Sequence, residues 1–154
     1  MPRAAAPEKI LVLHGPNLNL FGRREPHIYG TMTLEQINER IRLLAAKVQV
    51  QPIIVQSNLE GVLVDTFHKH MDEVDGALLN PGGLTQYSVS LHDAIKAMPF
   101  PVIEVHLSNL AAREEWRHHS IISSAVKGTV QGLGWRSYTA ALRALVEIIR
   151  EPKK

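Results

Sequence analysis

The segment Lys9-Ile-Leu-Val-Leu-His-Gly-Pro16 is the most informative about the fold, because a continuous apolar run over residues 10–13 is followed by a histidine, a glycine and a proline. Such a run is typical of a strand buried on both faces of a parallel sheet. The glycine and proline mark the point where the strand ends. Because parallel strands need crossover connections, the rest of the chain should alternate between helix and strand.

The segments that follow do alternate between helical and extended patterns. Thr33 and Gln36 form a capping box, and the apolar residues after it repeat at helical spacing, which predicts a helix over residues 34–48. Ser57 and Glu60 have the same spacing and predict a second capping box. Further strands are predicted at residues 53–55, 77–79, 102–105 and, more weakly, 125–130, and further helices at 85–97 and 137–149.

This order predicts an α/β fold, a doubly wound parallel sheet of about five strands with helices on both faces, because right-handed crossovers place helices on both sides. The 154 residues, 45% of them hydrophobic, fit one domain over 1–154 with flexible tails at 1–8 and 151–154. The connection over 15–31 is far longer than the usual two to six residues, and we interpret it as a lid loop.

The composition excludes several classes of function. The chain contains no cysteine, so thiolate metal sites, dithiol redox couples and cysteine nucleophiles are excluded. The 17 Lys and Arg residues against 15 Asp and Glu residues leave a net charge of +2, too small for a nucleic-acid interface. No apolar run approaches the roughly 18 residues of a membrane span, so we expect a cytoplasmic protein with no membrane partner.

The sequence also lacks the patterns that hold metals or phosphates. His118 and His119 are adjacent and would point in different directions on a helix, so they are more simply solvated or core residues than metal ligands. Neither GxGxxG nor GxxxxGK[ST] occurs. We therefore expect a site without a metal or a cofactor.

Polar side chains follow the predicted strands at the points where they end. In open α/β sheets, ligands bind beyond these carboxyl ends. Amides and hydroxyls suit a ligand rich in hydroxyl groups, and Arg24, Arg113 or Arg117 could bind one carboxylate. The predicted ligand is a small polyhydroxylated acid. The strand-end residues are Asn17, Asn19, Gln56, Ser57, Asn58, Asn80, Ser108 and Asn109.

Two pairs of residues are candidates for proton transfer. Glu104 and His106 are two apart in a predicted strand, so their side chains share a face and the carboxylate can orient the imidazole. The alternative is a structural ion pair. Tyr29 in the lid, five residues after Arg24, could act as a base if the guanidinium favours the phenolate. The alternative is a tyrosine that only packs.

Four blocks of sequence, in order, carry a resemblance to a known family. They are 14–19 (HGPNLN), 22–30 (GRREPHIYG), 80–83 (NPGG) and 104–109 (EVHLSN), the last continuing to 113–117 (REEWR). With them the chain resembles the type II 3-dehydroquinases, or 3-dehydroquinate dehydratases, over nearly all of 10–149. The resemblance implies a flavodoxin-like fold. It also implies dehydration of 3-dehydroquinate to 3-dehydroshikimate by anti elimination through an enol or enolate, without metal or Schiff base, in the shikimate or quinate pathway.

The resemblance also implies a role for each of the candidate catalytic residues. Tyr29 matches the base that removes the proton beside the ketone, and Arg24 the residue that activates it. Asn17 matches the group that stabilises the enolate oxygen through an ordered water. His106 matches the general acid for the departing hydroxyl, and Glu104 would orient and charge it.

The resemblance further implies a substrate-binding set and an assembly. Asp93 would reach into the site of a neighbouring subunit, within a dodecamer built from trimers. For Gly82 a second reading stays open, that it only permits a turn. The residues of this set within one chain are Asn80, Gly82, Gln86, Leu107, Ser108, Arg113 and Arg117.

The chain departs from the family pattern beside this set. Gln86 stands where the family usually has a histidine, Tyr87 replaces a small residue, and Ala112 replaces a common histidine. Glutamine can bond a hydroxyl but carries no charge near neutrality. A non-catalytic or altered-specificity binder of a related polyhydroxy acid therefore remains an alternative. A third hypothesis, that the protein binds a nucleotide or a flavin, is supported only by analogy with other proteins of this fold.

Overall fold

The computed structural model describes residues 5–154. Five parallel strands form one sheet in the order β2-β1-β3-β4-β5, which is the flavodoxin-like order. The predicted fold class is therefore confirmed. The strands are β1 (Lys9–His14), β2 (Gln51–Gln56), β3 (Gly76–Asn80), β4 (Val102–His106) and β5 (Gly128–Gln131).

Helices cover both faces of the sheet. They are α1 (Pro26–Tyr29), α2 (Leu34–Val48), α3 (Glu60–Lys69), α4 (Val89–Ala97) and α5 (Arg136–Arg150). Ile10 and Val12 of β1 pack in the core that contains α2 and α5 residues. Leu11 and Leu13 pack in the core that contains α3 and α4 residues. Successive side chains of β1 thus enter opposite cores, which explains why its apolar run is unbroken.

The first predicted helix and its cap are confirmed. The Thr33 hydroxyl accepts from the Gln36 backbone N–H at 3.2 Å, and the Gln36 side chain accepts from the Thr33 N–H at 2.9 Å. These reciprocal bonds satisfy two backbone donors at the helix start. The helix spans Leu34–Val48, as the spacing predicts.

The second predicted capping box, Ser57 with Glu60, is wrong. The helix begins at Glu60 itself, after Leu59, whereas a capping box needs its glutamate two residues further into the helix. The Ser57 hydroxyl accepts from the Leu59 N–H at 3.0 Å, and the Glu60 carboxylate accepts from the Ser88 hydroxyl at 2.5 Å. Glu60 therefore connects α3 to the start of α4.

The helix predicted at 85–97 begins later, at Val89. Ser88 caps it by accepting from the Leu91 N–H at 3.1 Å. The preceding Gly82–Gln86 segment is a 3-10 turn, in which Thr85 directs its hydroxyl to the buried Glu104 carboxylate at 2.6 Å. The weak strand predicted at 125–130 is also shorter in the structure, where β5 begins only at Gly128.

The predicted lid over 15–31 contains two short elements instead of an irregular loop. Leu18–Leu20 form a 3-10 turn, and Pro26–Tyr29 form α1. The side chain of Phe21 is buried against the core and anchors the middle of the segment.

The predicted tail 1–8 lies partly outside the described residues, which begin at residue 5. The Glu8 carboxylate accepts two hydrogen bonds from the Arg150 guanidinium, at 2.8 and 3.0 Å. Within the described part of the chain, no helix is long and apolar enough to cross a membrane.

Candidate active site

The site lies where β1 and β3 end side by side. Because consecutive connections leave these two strands toward opposite faces, a crevice opens beyond them. The Gly15 N–H donates to the Asn80 carbonyl at 2.8 Å. A Cβ on Gly15 would lie 2.6 Å from the Pro81 carbonyl oxygen, so only glycine permits this approach. The polar residues at the two strand ends are thereby brought together.

A small cavity at this edge gathers most of the predicted site residues. It encloses about 30 Å³, space for roughly one water molecule. Arg24 and Tyr29 of the lid form part of its wall, opposite residues of the strand ends. The predicted residues that line it are Arg24, Tyr29, Asn80, Gly82, Gln86, His106, Leu107, Ser108, Arg113 and Arg117, together with Leu18, Phe21, Gly83 and Leu110.

Glu104 and His106 share a face of β4 as the spacing predicts, and their side chains are hydrogen-bonded. Glu104 is fully buried beneath His106. Its carboxylate also accepts from the hydroxyls of Thr85 at 2.6 Å, Ser123 at 2.8 Å and Ser120 at 3.1 Å. Sequence reasoning missed these three residues, because scattered hydroxyl side chains carry no pattern that distinguishes them.

The environment of Glu104 keeps its carboxylate charged. Burial by itself would raise its pKa, but the hydrogen bond and charge of His106, with the Thr85 and Ser123 hydroxyls, outweigh burial and hold the pKa below its usual range. A charged carboxylate holds the His106 imidazole in one orientation through their hydrogen bond. The pair is therefore suited to hold a proton at the cavity wall.

Tyr29 lies among cationic side chains. Arg113 donates from Nη1 to the Tyr29 hydroxyl oxygen at 3.0 Å and to the Ser108 hydroxyl at 3.2 Å. The Arg24 guanidinium carbon lies 4.8 Å from the centre of the Tyr29 ring. Arg24, the predicted activating residue, thus contacts the ring face, whereas Arg113 binds the oxygen on which a negative charge would form.

Two buried polar atoms at the cavity have no hydrogen-bond partner among the described residues. They are Oε1 of Gln86 and Nη2 of Arg113. Gln86 donates from Nε2 to the Arg117 carbonyl at 3.3 Å, which leaves its Oε1 as an acceptor. Buried polar groups are nearly always paired, so this acceptor and this charged donor are available to a water molecule or a ligand at the cavity wall.

Three predicted residues do not line the cavity. Glu104 lies behind His106, to which it is hydrogen-bonded. Asn17 is exposed, with a left-handed φ of 70°, and its backbone N–H donates to the Asn58 side chain at 2.9 Å. Asp93 lies on α4 with a side chain that is 72% exposed and hydrogen-bonded to His92. The roles suggested for Asn17 and Asp93 stay predictions.

Beneath Asn80 lies a buried polar cluster that sequence reasoning missed. His14 contacts the Tyr138 hydroxyl at 2.7 Å and the Asn38 side-chain oxygen at 2.8 Å. Burial lowers the pKa of His14 to about 4 and raises the pKa of Tyr138. Only the position of His14 at the end of the first strand could have signalled the cluster.

Among the described residues, no three His, Cys, Asp or Glu side chains are grouped as a metal would need.

The fold and the site together define the class of protein, a doubly wound α/β enzyme that places a tyrosine beside guanidinium groups and a carboxylate-supported histidine around one cavity. The chain belongs to the class II dehydroquinase family, since the model described as "Dehydroquinase class II" matches residues 8–146. The resemblance of the sequence motifs to this family is thereby confirmed.

Individual relatives agree with the family match. A 3-dehydroquinate dehydratase from Halothermothrix orenii is 48% identical over 143 residues, which are 93% of this chain and 97% of the relative. Another from Pelotomaculum thermopropionicum is 50% identical over 136 residues, 88% of this chain and 94% of the relative. The crystal structure of type II dehydroquinase from Propionibacterium acnes superposes with a TM-score of 0.88 at 38% identity, covering 93% of this chain and 99% of that one.

Proposed function

We propose that the protein dehydrates 3-dehydroquinate to 3-dehydroshikimate by anti elimination. The observation that carries this proposal is that Tyr29 and His106, from the lid and from the sheet edge, line the same cavity. An elimination needs a base for the carbon-bound proton and an acid for the departing hydroxyl, and the two must act from different sides of the substrate. Membership of the dehydroquinase family supports the choice of substrate.

In the first step the Tyr29 phenolate removes the proton beside the ketone. The C–H bonding electrons move into the enolate, and the proton stays on the phenol oxygen. Arg113, with its hydrogen bond to that oxygen, and Arg24, over the ring, stabilise the phenolate before the transfer. We assign Asn17 the role of binding the enolate oxygen through a water, a preorganised electrostatic role.

In the second step His106 gives its proton to the departing hydroxyl. The C–O bond breaks with its electron pair on oxygen, the enolate electrons form the C=C bond, and water leaves. Glu104, whose carboxylate is kept charged, holds the imidazole in place before the transfer. Thr85, Ser120 and Ser123 keep the Glu104 carboxylate from rotating.

The remaining cavity residues bind the substrate in this proposal. Gln86 accepts a hydrogen bond from a substrate hydroxyl, and the free Nη2 of Arg113 binds an anionic or carbonyl oxygen. Arg117, held by Glu114 at 2.9 Å, is assigned to the carboxylate. Asn80, Gly82, Leu107 and Ser108 are assigned to the hydroxyls and the ring.

Binding requires the lid to open. The cavity of about 30 Å³ is far smaller than the roughly 300 Å³ at the low end for ligand sites. Tyr29 lies between Gly22 and Gly30, whose φ angles are 89° and 81°, and glycines at such positions can absorb backbone rotation. We propose that the segment 15–31 swings outward to admit substrate and closes over it.

The proposal extends to assembly and location. Asp93 is exposed on α4 and does not line the cavity of its own chain, and we assign it to the site of a neighbouring subunit in a dodecamer built from trimers. Light scattering tests this, since an active monomer would contradict a shared site.

A cytoplasmic location is a further prediction, which cell fractionation tests. The shikimate pathway is favoured for the reaction, and growth of a deletion strain without aromatic amino acids tests it.

The direct test of the activity uses purified protein and 3-dehydroquinate. Dehydration forms a conjugated enone, so ultraviolet absorbance should rise with time in proportion to the amount of enzyme. Thermal stabilisation by 3-dehydroquinate without any rise in absorbance would instead identify a non-catalytic binder. The names of the relatives do not favour that alternative.

A further inference from the structure

A row of hydrogen bonds leads away from the cavity beneath Asn80. The Gly82 N–H lies 3.1 Å from Asn80 Oδ1, and Asn80 Nδ2 lies 3.0 Å from the Tyr138 hydroxyl. That hydroxyl lies 2.7 Å from His14 Nδ1, and His14 Nε2 lies 2.8 Å from Asn38 Oδ1. The row joins the ends of β1 and β3 to helices α2 and α5.

The Gly82 N–H fixes the orientation of the Asn80 amide, and the directions of the other hydrogen bonds follow from the donors and acceptors that remain. A backbone N–H can only donate, so the Asn80 atom facing Gly82 is the oxygen and the atom facing Tyr138 is the amide nitrogen. The Tyr138 oxygen accepts from this amide, and the proton of the buried hydroxyl has no acceptor among the described residues other than His14 Nδ1, so the hydroxyl donates there. The proton of the neutral imidazole therefore lies on Nε2 and is donated to Asn38.

The row is shielded from water, which keeps its direction fixed. His14 and Tyr138 are completely buried, and Asn38 and Asn80 are nearly so. Reversing one bond would leave a buried donor or acceptor without a partner, which costs free energy. Aligned bonds also strengthen one another in a low-dielectric interior. The Asn80 amide consequently has one allowed orientation.

We propose that Tyr138 and His14 are positioning residues that hold the Asn80 amide with its second N–H toward the cavity, so that the ligand must present an acceptor oxygen there. This second N–H has no partner among the described residues. Neither Tyr138 nor His14 lines the cavity, and both act through Asn80. The expected change in kcat/KM rests on the proposed function, whereas the direction of the hydrogen bonds does not.

The kinetic test is a double-mutant cycle of Tyr138→Phe and Asn80→Ala, measured as kcat/KM for 3-dehydroquinate. Tyr138→Phe should lower kcat/KM about tenfold, because the freed amide loses its orientation. In the Asn80→Ala background the same substitution should have almost no further effect. Effects that multiply in the double variant would overturn the inference, because Tyr138 would then act independently of Asn80.

Two further variants separate positioning from general stability. Thr66→Val removes a buried hydroxyl that donates at 2.6 Å to the Val62 carbonyl within α3, remote from Asn80, and should leave kcat/KM unchanged. If Tyr138→Phe does not fold, Asn38→Leu replaces it in the cycle, because it removes only the last acceptor of the row. An equal loss of kcat/KM in Thr66→Val and Tyr138→Phe would contradict positioning.

A measurement without substrate tests the direction of the bonds. At neutral pH, 15N NMR of the His14 imidazole should show a protonated Nε2 and a bare Nδ1, and Tyr138→Phe should shift the Nδ1 signal. The opposite tautomer, or a charged ring, would overturn the inference. If the wild-type protein failed to dehydrate 3-dehydroquinate, the proposed function would fail while this measurement would still decide the orientation of the row.

Discussion

The two groups proposed to transfer protons come from the lid and from the carboxyl ends of the strands, and these two regions are built differently. In the lid, Tyr29 sits on a four-residue helix between two glycines with left-handed φ angles, and its hydroxyl has one described partner, Arg113. At the strand ends, His106 is bound to a carboxylate that also accepts from the hydroxyls of three other residues. The hydrogen bonds around Glu104 thus fix the geometry of the proposed acid, whereas the proposed function requires the proposed base to move with the lid.

This difference matches what each half must do. The cavity of about 30 Å³ is small for a substrate, which is why the proposed function has the lid move, and a four-residue helix at the protein surface can move at little cost. The groups that hold a proton ready need a fixed geometry, which buried strands provide. Substitutions in the lid should therefore change activity alone, while those at the strand ends should change activity and stability together.

The largest effect is expected for Tyr29→Phe. Loss of the base should lower kcat about 10⁴-fold, while the melting temperature should change little, because the phenyl ring keeps its packing against Phe21. Steady-state kinetics and thermal melting measure the two effects. Tyr87→Phe, which alters an exposed tyrosine, is the matched control and should keep full activity. Near-normal turnover of Tyr29→Phe would rule out its role as the base.

His106→Gln should lower kcat about 10³-fold. Unlike the lid variant, it should also lower the free energy of unfolding by about 2 kcal/mol, because Glu104 loses its charged partner in a buried site. Kinetics and urea denaturation measure the two losses. His68→Gln, at an exposed position of α3, is the control. A variant that loses activity with unchanged stability would break the contrast between the two regions.

Acid should lower the free energy of unfolding because of the buried His14 at the end of β1. Its pKa is about 4 when folded, against 6.5 ordinarily, so between these pH values the unfolded chain binds a proton that the folded chain does not. The stabilisation is complete above about pH 6.5 and is lost as the pH falls toward 4, by about 3 kcal/mol in total. Urea denaturation across this range measures the slope. His14→Gln should flatten it, and an equally steep slope in that variant would exclude His14 as the cause.

Arg113→Lys should lower kcat/KM about tenfold, because lysine cannot bind Tyr29, Ser108 and a ligand oxygen at once as the planar guanidinium can. The loss should be smaller than that of Tyr29→Phe, since Arg24 still lies over the ring. Arg40→Lys, over the Trp135 ring outside the cavity, is the control. Unchanged kinetics in Arg113→Lys would assign the activation of Tyr29 to Arg24.

The smallest effect is expected for Gln86→His, about threefold in kcat/KM. An imidazole titrates near neutrality whereas an amide does not, so the variant should gain an inflection in its pH profile that the wild type lacks. Parallel profiles of both proteins from pH 5.5 to 8 measure it. Identical profiles would show that Gln86 does not contact the substrate.

Much of the fold was predictable because its signals are local. The alternation of apolar runs and capped helices predicts the order of the elements, and the capping box at Thr33 places the start of α2 correctly. The errors arose where a tertiary contact competes with a local signal. Glu60 pairs with Ser88 instead of capping its own helix, and Thr85 pairs with Glu104 instead of entering a helix.

Two features of the site could be derived from the amino-acid sequence alone: that Glu104 and His106 face the same side of one strand, and which residue types the site contains. Glu104 and His106 share a face because a strand repeats every two residues, and the motif blocks identify the family. Which groups from distant parts of the chain come into contact could be learned only from the folded protein. The Arg113 bond to Tyr29 spans 84 positions and the Tyr138 bond to His14 spans 124. No local pattern encodes such pairs, because they form only when the folded sheet brings its strand ends and helices together.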